Sequence, residues 1–129
     1  MVTRYIDVDG KWGILVNYGF ATRDDYDDIA AVLYSFGMNE RNVRKALSVL
    51  STPNTGLAVS NNDLRMTAIY IGDSTSNSEF WSTISHELFH AEQAILDYYG
   101  VDWDGEPPAY LAGYLLKRVV EKIATPCME

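Results

Sequence analysis

The sequence predicts an α+β fold, a small and mainly antiparallel sheet followed by two C-terminal helices that carry the chemistry. Three observations predict it. Short runs rich in β-branched and aromatic residues come in two pairs, each pair divided by turn-forming residues. Around these pairs, apolar residues recur at helical spacing. The chain has 129 residues, 47% of them hydrophobic and 12% aromatic, which is enough for one core and short of two. A single domain over 1–129 is therefore expected.

Taken in order, Tyr5-Ile6-Asp7-Val8 and Trp12-Gly13-Ile14-Leu15-Val16-Asn17-Tyr18 flank Asp9-Gly10, a dipeptide suited to a tight hairpin turn. Thr22 is placed to cap a helix with an acidic first turn. Tyr26, Ile29, Ala30, Leu33 and Tyr34 then repeat at helical spacing until Gly37, and this helix should cover one sheet face. A second, short helix over 40–50 carries Val43, Ala46, Leu47 and Leu50 on one side, with Pro53 and Gly56 ending it. Leu57-Ala58-Val59-Ser60 and Met66-Thr67-Ala68-Ile69-Tyr70-Ile71 enclose Asn61-Asn62-Asp63 and read as a second hairpin. Ser76-Asn77-Ser78-Glu79 has the capping-box pattern and opens a helix over 77–99, striped by Trp81, Ile84, Leu88, Ala91 and Ile95 and closed by Gly100. Pro107-Pro108 start a last helix, on which Leu111, Leu115, Val119 and Ile123 recur until Pro126.

Composition narrows the function classes. Ten basic against eighteen acidic residues leave a formal charge of -8, which disfavours a phosphate backbone or an anionic membrane surface as partner. The one cysteine, Cys127, has no partner for an internal disulfide. The N-terminus lacks an apolar h-region and no window reaches the length of a membrane span, so a cytoplasmic protein is expected.

The chemistry sits in Ser85-His86-Glu87-Leu88-Phe89-His90. This is an HExxH on the predicted 77–99 helix, and it contains both histidines of the chain. Imidazoles at i and i+4 share one helical face and can ligate one ion, with Glu87 offset by one residue's rotation. The apolar stripe runs beside these positions, so packing does not require histidine at them. Two imidazoles and a carboxylate suit zinc best among the common metals.

A tetrahedral zinc is then two ligands short, and a catalytic site would add one protein ligand and one water. With no third histidine, that ligand is expected to be a carboxylate, which excludes ligation by three histidines. A structural site of two cysteines and two histidines is excluded as well, because one cysteine is too few. The downstream candidates are Glu92, Asp97, Asp102, Asp104 and Glu106. Asp97 is a poor one, about 10 Å along the helix from His90 at 1.5 Å per residue. Glu106 follows a loop of about six residues, whose reach of roughly 20 Å could return it to the metal.

From about Met66 to Lys117 the sequence resembles the gluzincin group of zinc metallopeptidases, which carry HExxH on one helix and a glutamate ligand on the next. Several such families read E-x-x-A-D at the second element, and Glu106-Pro107-Pro108-Ala109-Tyr110 stands in that place. The chain also looks like small phage and bacterial proteins that pair an HExxH helix with an E-x-x-A-Y helix. The resemblance implies a zincin-like fold, zinc held by His86, His90 and Glu106, and Glu87 as catalytic base, with Asp104 the reserve ligand. Two departures matter. Tyr110 replaces the aspartate that often braces a ligand histidine. The prolines push their preceding residues out of α geometry, which puts Glu106 at or before the helix start.

The expected activity is zinc-dependent hydrolysis of a peptide bond in a peptide or protein substrate. Zinc lowers the pKa of a bound water toward about 7, and Glu87 would take its proton and pass it to the leaving amine. Tyr110, Tyr114 and Arg118 share a face with Glu106, and the two tyrosines are the expected oxyanion donors. One strand of the second ribbon could offer the edge on which zincins commonly lay an extended substrate. The rival reading is a non-catalytic binding or regulatory protein that keeps zinc for structure or recognition. The chain's small size favours that rival, whereas Glu87 argues against it.

Overall fold

A computed structural model describes residues 1–123. Pro126 and Cys127, singled out above, lie outside the described residues. The element order is β1 (Val2–Val8), β2 (Trp12–Tyr18), α1 (Arg23–Ser35), α2 (Glu40–Leu50), β3 (Gly56–Asn61), β4 (Met66–Ile71), α3 (Asn77–Tyr99) and α4 (Glu106–Lys122). The fold is α+β around a four-stranded mixed sheet in the order β1-β2-β4-β3. The two hairpins, β1–β2 and β3–β4, are antiparallel, and they join through a parallel β2–β4 pairing that aligns Val16 with Ile69.

Local chemistry accounts for the boundaries. Asp9 and Gly10 both take positive φ (53° and 68°), and the Lys11 N–H closes onto the Val8 carbonyl at 2.9 Å, the mirror-image turn that matches strand twist. In the second hairpin Asn61 Oδ1 accepts from the Leu64 N–H at 2.9 Å, so the turn runs on to Arg65, beyond the Asn61–Asp63 stretch that sequence singles out. Thr22 and Asp25 form a reciprocal capping box at α1, and Asn39 caps α2 through the Asn42 N–H. At α3 the Ser76 hydroxyl accepts from the Glu79 N–H at 3.1 Å, and Gly100 closes the helix in the left-handed conformation. Glu106 is the first residue of α4, as the two prolines require.

Helices cover both faces of the sheet. Ile29, Leu33, Val43, Ala46 and Leu50 of α1 and α2 pack on Ala68 and Tyr70 of β4. On the other face, Phe80, Ile84, Leu88, Ala91 and Ile95 of α3, with Leu115 and Val119 of α4, pack on Ile14, Val16, Ile69 and Ile71. This explains why β4 reads as a nearly unbroken apolar run, because its alternate residues all enter a core. The buried polar groups of the sheet are paired. Asn17 donates to the Ile69 carbonyl at 3.0 Å and accepts from Thr3 at 2.6 Å, and Trp12 Nε1 donates to Thr67 at 3.0 Å.

Two features position the site. β3 lies at the sheet edge, with its outer side unpaired among the described strands, and α3 packs against it. No helix among the described residues is long and apolar enough to cross a membrane.

Candidate metal centre

Helical rotation of about 100° per residue divides α3 into flanks around its sheet-facing stripe. Thr83 and Glu87 fall on the flank that leans over β3, with His86 and His90 beside them on the open surface. Ser85, Leu88, Phe89 and Glu92 fall on the other flank, where they share a cavity lining with Ala112, Gly113, Leu115 and Leu116 of α4. The motif therefore faces β3, not α4.

Within the motif the three side chains converge. One ligand atom from each of His86, Glu87 and His90 lies within 4.8 Å of the others. The imidazole centroids are 5.1 Å apart, and His86 Nε2 lies 3.9 Å from Glu87 Oε2. Donors around a tetrahedral zinc sit roughly 3.3 Å apart for bonds of about 2.0 Å, so small rotamer changes would gather these three. Two imidazoles and a carboxylate are also a donor set that zinc accepts.

The two kinds of ligand differ in exposure. His86 has 70% of its side chain exposed, whereas Glu87 is 5% exposed. Glu87 occupies an inward position of α3, between Ile84 and Ala91, where an apolar residue would ordinarily pack. Its carboxyl is pushed above the usual carboxylate range by desolvation, with the neighbouring His86 and His90 pulling it partly back. A buried carboxyl in a core position costs stability, and such a cost at a cleft is the pattern of a functional group.

Gly56, the first residue of β3, makes that placement sterically feasible. A Cβ there would lie 2.9 Å from both Cγ and Oε2 of Glu87 and 2.8 Å from Thr83 Cγ2, closer than packed atoms come. The missing Cβ is thus the space that Glu87 fills. α2 stops at Leu50 as the sequence predicts, but Gly56, which the sequence offers only as a stop signal after that helix, opens the edge strand. A groove of about 320 Å³ passes this point, lined by Asn54, Thr55, Gly56, Glu79, Thr83, His86 and Glu87 among others.

The remaining candidates lie elsewhere. Glu106, exposed at the start of α4, is not in the cluster. It lines a separate open cleft with Ala109, Tyr110, Gly113, Tyr114 and Lys117. The loop before α4 is long enough to let Glu106 reach the histidines. However, α4 docks through Leu115 and Val119 on the flank turned away from the histidines. Tyr110 is 74% exposed, Tyr114 packs partly against the core, and Arg118 pairs with Glu121 at 4.0 Å. Asp102 and Asp104 are exposed in the loop before α4, and Asp97 accepts from Trp103 Nε1 at 2.9 Å. Glu92 is buried roughly 120–160° round α3 from the histidines, too far round the helix to join them.

No protein-family model, curated protein or solved structure matches this chain.

Proposed function

We propose that the protein is a zinc-dependent hydrolase of peptide bonds, of the zincin-like, gluzincin type. His86 and His90 would hold the ion, and Glu87 would act as proton acceptor. The observation that carries this reading is the buried Glu87 carboxyl, seated in the Gly56 gap beside two exposed imidazoles and at the wall of an open groove. Where another carboxylate completes the ligand set, zinc binding alone has no need of an acid in this core position.

Zinc held there would supply Lewis acidity toward a carbonyl oxygen and toward a water molecule. The protein's part falls to the side chains. Glu87, raised by burial, is suited to take a proton from the attacking water and hold it until the leaving amine accepts it. The edge of β3 offers unpaired backbone groups to an extended peptide or protein substrate along the groove. Tyr110 and Tyr114 are oxyanion donors in this reading only if the first turns of α4 shift toward the histidines, and the same movement would bring Glu106 in as third ligand. The charge of -8 supports a protein with neither nucleic acid nor an anionic membrane surface as partner, and the cytoplasm is its proposed location.

A second reading is favoured by one observation, the placement of Glu106 outside the cluster. Glu87 itself would then be the third ligand of a non-catalytic zinc-binding protein. Glu87→Gln separates the two. Retention of one zinc per chain with loss of cleavage of a peptide library supports the hydrolase. Loss of zinc with no cleavage by the wild type overturns it.

A further inference from the structure

The edge strand β3 has a different groove on each face. The Gly72 N–H donates to the Thr55 carbonyl at 2.8 Å, and Leu57 stands opposite Tyr70 in the β3–β4 ladder, so antiparallel alternation turns the backbone groups of Leu57 and Val59 to β4. Gly56, Ala58 and Ser60 turn theirs to the outer edge, which no described strand covers. The side chains alternate between the faces: Ala58 packs with the α3 core, Leu57 and Val59 with the α2 core. At Gly56 the edge separates two grooves. One passes the histidines on the α3 face; the other, of about 240 Å³, opens on the α2 face between Met38, Ala46, Val49 and Leu57, with exposed Asn42 and Lys45 beside them. Gly56 and Val49 line both. The α2-side groove falls short of the roughly 300–1,000 Å³ of a small-molecule site and suits a single side chain. Among the described residues no acid lines it, whereas the α3-side groove carries Glu79 and Glu87.

We propose that the α2-side groove is a specificity pocket for one apolar side chain, of leucine or methionine size, on an extended peptide that pairs with the outer edge of β3. This rests on the reading of that edge as the seat of a peptide substrate, and it adds which side chain the substrate must carry. A strand laid along 56–60 sends successive side chains to opposite faces of the sheet, whichever way it runs, and each shares a face with the residue it stands beside. The residue beside Gly56 then faces His86 and Glu87, and its neighbour beside Leu57 enters the α2-side groove. Met38, Ala46 and Val49 reward an apolar group there, and Lys45 disfavours a basic one. The substrate class is a peptide with an apolar residue next in sequence to the residue at the histidines.

The test uses the full chain carrying Glu87→Gln, so that bound peptide is not consumed, in zinc-containing buffer. It is titrated with a short serine and threonine peptide bearing a central leucine, and with counterparts bearing serine or lysine there, while NMR follows the protein. The leucine peptide should bind saturably, with amide shifts at Asn42, Val49 and Leu57 and with contacts from its methyl groups to Val49 and Leu57. It should bind about tenfold or more tightly than the serine peptide, the scale of burying one such side chain, and the lysine peptide no tighter than the serine one. Asn42→Trp, at an exposed position that fills the groove from its rim, should remove the leucine advantage. If that variant disturbs α2, Val49→Asp serves, since Val49 is 43% exposed and lines the same wall. Absence of saturable binding, equal affinity for leucine and serine, methyl contacts to Thr83 on the α3 face instead, or an advantage that survives both variants overturns the proposal. Cleavage of a peptide library by wild type with no apolar preference overturns the pocket and leaves the hydrolase. Leucine-dependent binding with no cleavage by wild type upholds the pocket and overturns the hydrolase.

Discussion

The two flanks of α3 carry one buried carboxyl each, but they are built differently. Toward β3, Glu87 lies in a gap left by a glycine, beside two imidazoles and an open polar groove. Toward α4, Glu92 closes an apolar cavity, with no imidazole near it. Glu106, which sequence reading nominated as third ligand, sits on the α4 side. The contrast teaches that the motif's buried carboxyl packs against the edge strand before it rather than the helix after it.

The largest expected effect breaks the comparison outright if it fails. His86→Ala or His90→Ala should lower zinc affinity by about 100-fold or more, beyond the 10–100-fold typical of residues that only orient a ligand. Glu106→Gln should leave it near wild type, since Glu106 is not among the converging groups. Competition with a chromophoric chelator measures all three. A loss in Glu106→Gln as deep as that of the histidine variants would mean that the first turn of α4 closes on the site.

A pair of glycines sharpens the same contrast in stability. Gly56→Ala forces a Cβ to within 2.9 Å of Glu87 and 2.8 Å of Thr83, and overpacking of this kind costs about 1–3 kcal/mol. Gly113→Ala meets nothing within 4 Å in the interior of α4, so the gain in helix propensity should stabilise by about 0.5–1 kcal/mol. Urea denaturation of the metal-free protein should therefore show opposite signs. The double variant Gly56→Ala/Glu87→Ala should be more stable than the sum of its singles, because removing Cγ and Oε2 removes two of the three close contacts. Additivity would show that Gly56 does not make room for Glu87.

Much of this was legible in the chain, for local reasons. Helix caps act within four residues, so Thr22, Ser76 and Gly100 announced α1 and α3, and the HExxH spacing placed both imidazoles on one face. The two hairpins could be read from Asp9-Gly10 and the Asn-rich turn, but not the parallel β2–β4 pairing that makes the sheet mixed, because that ladder joins residues more than fifty positions apart. β1 also starts at Val2 rather than Tyr5, where pairing with Tyr18 extends it beyond the clearest alternation. The Gly56–Glu87 fit had no sequence signal, since a glycine that spares room for a distant side chain reads like one that ends a helix. The side on which α4 docks is likewise a tertiary outcome, which loop length bounds but does not choose.

The smallest effect concerns pH, and it separates the two carboxyls by what zinc does to them. Both Glu87 and Glu92 are raised above 4.5, chiefly by desolvation, so the folded state binds their protons more tightly than the unfolded chain does. Each therefore costs nothing below pH 4.5 and destabilises the metal-free protein increasingly as pH rises from there through its folded pKa. Glu87→Gln and Glu92→Gln should each match wild type in acid and exceed it in stability near pH 7, a difference that denaturation across pH 3.5 to 8 would resolve. Added zinc should reverse the order for Glu87 alone, because its charge favours the ionised carboxylate beside the imidazoles and cannot act on one turned to the far flank. If zinc changes the Glu92→Gln comparison equally, the two flanks are electrostatically one site, and their separation by the body of α3 does not hold.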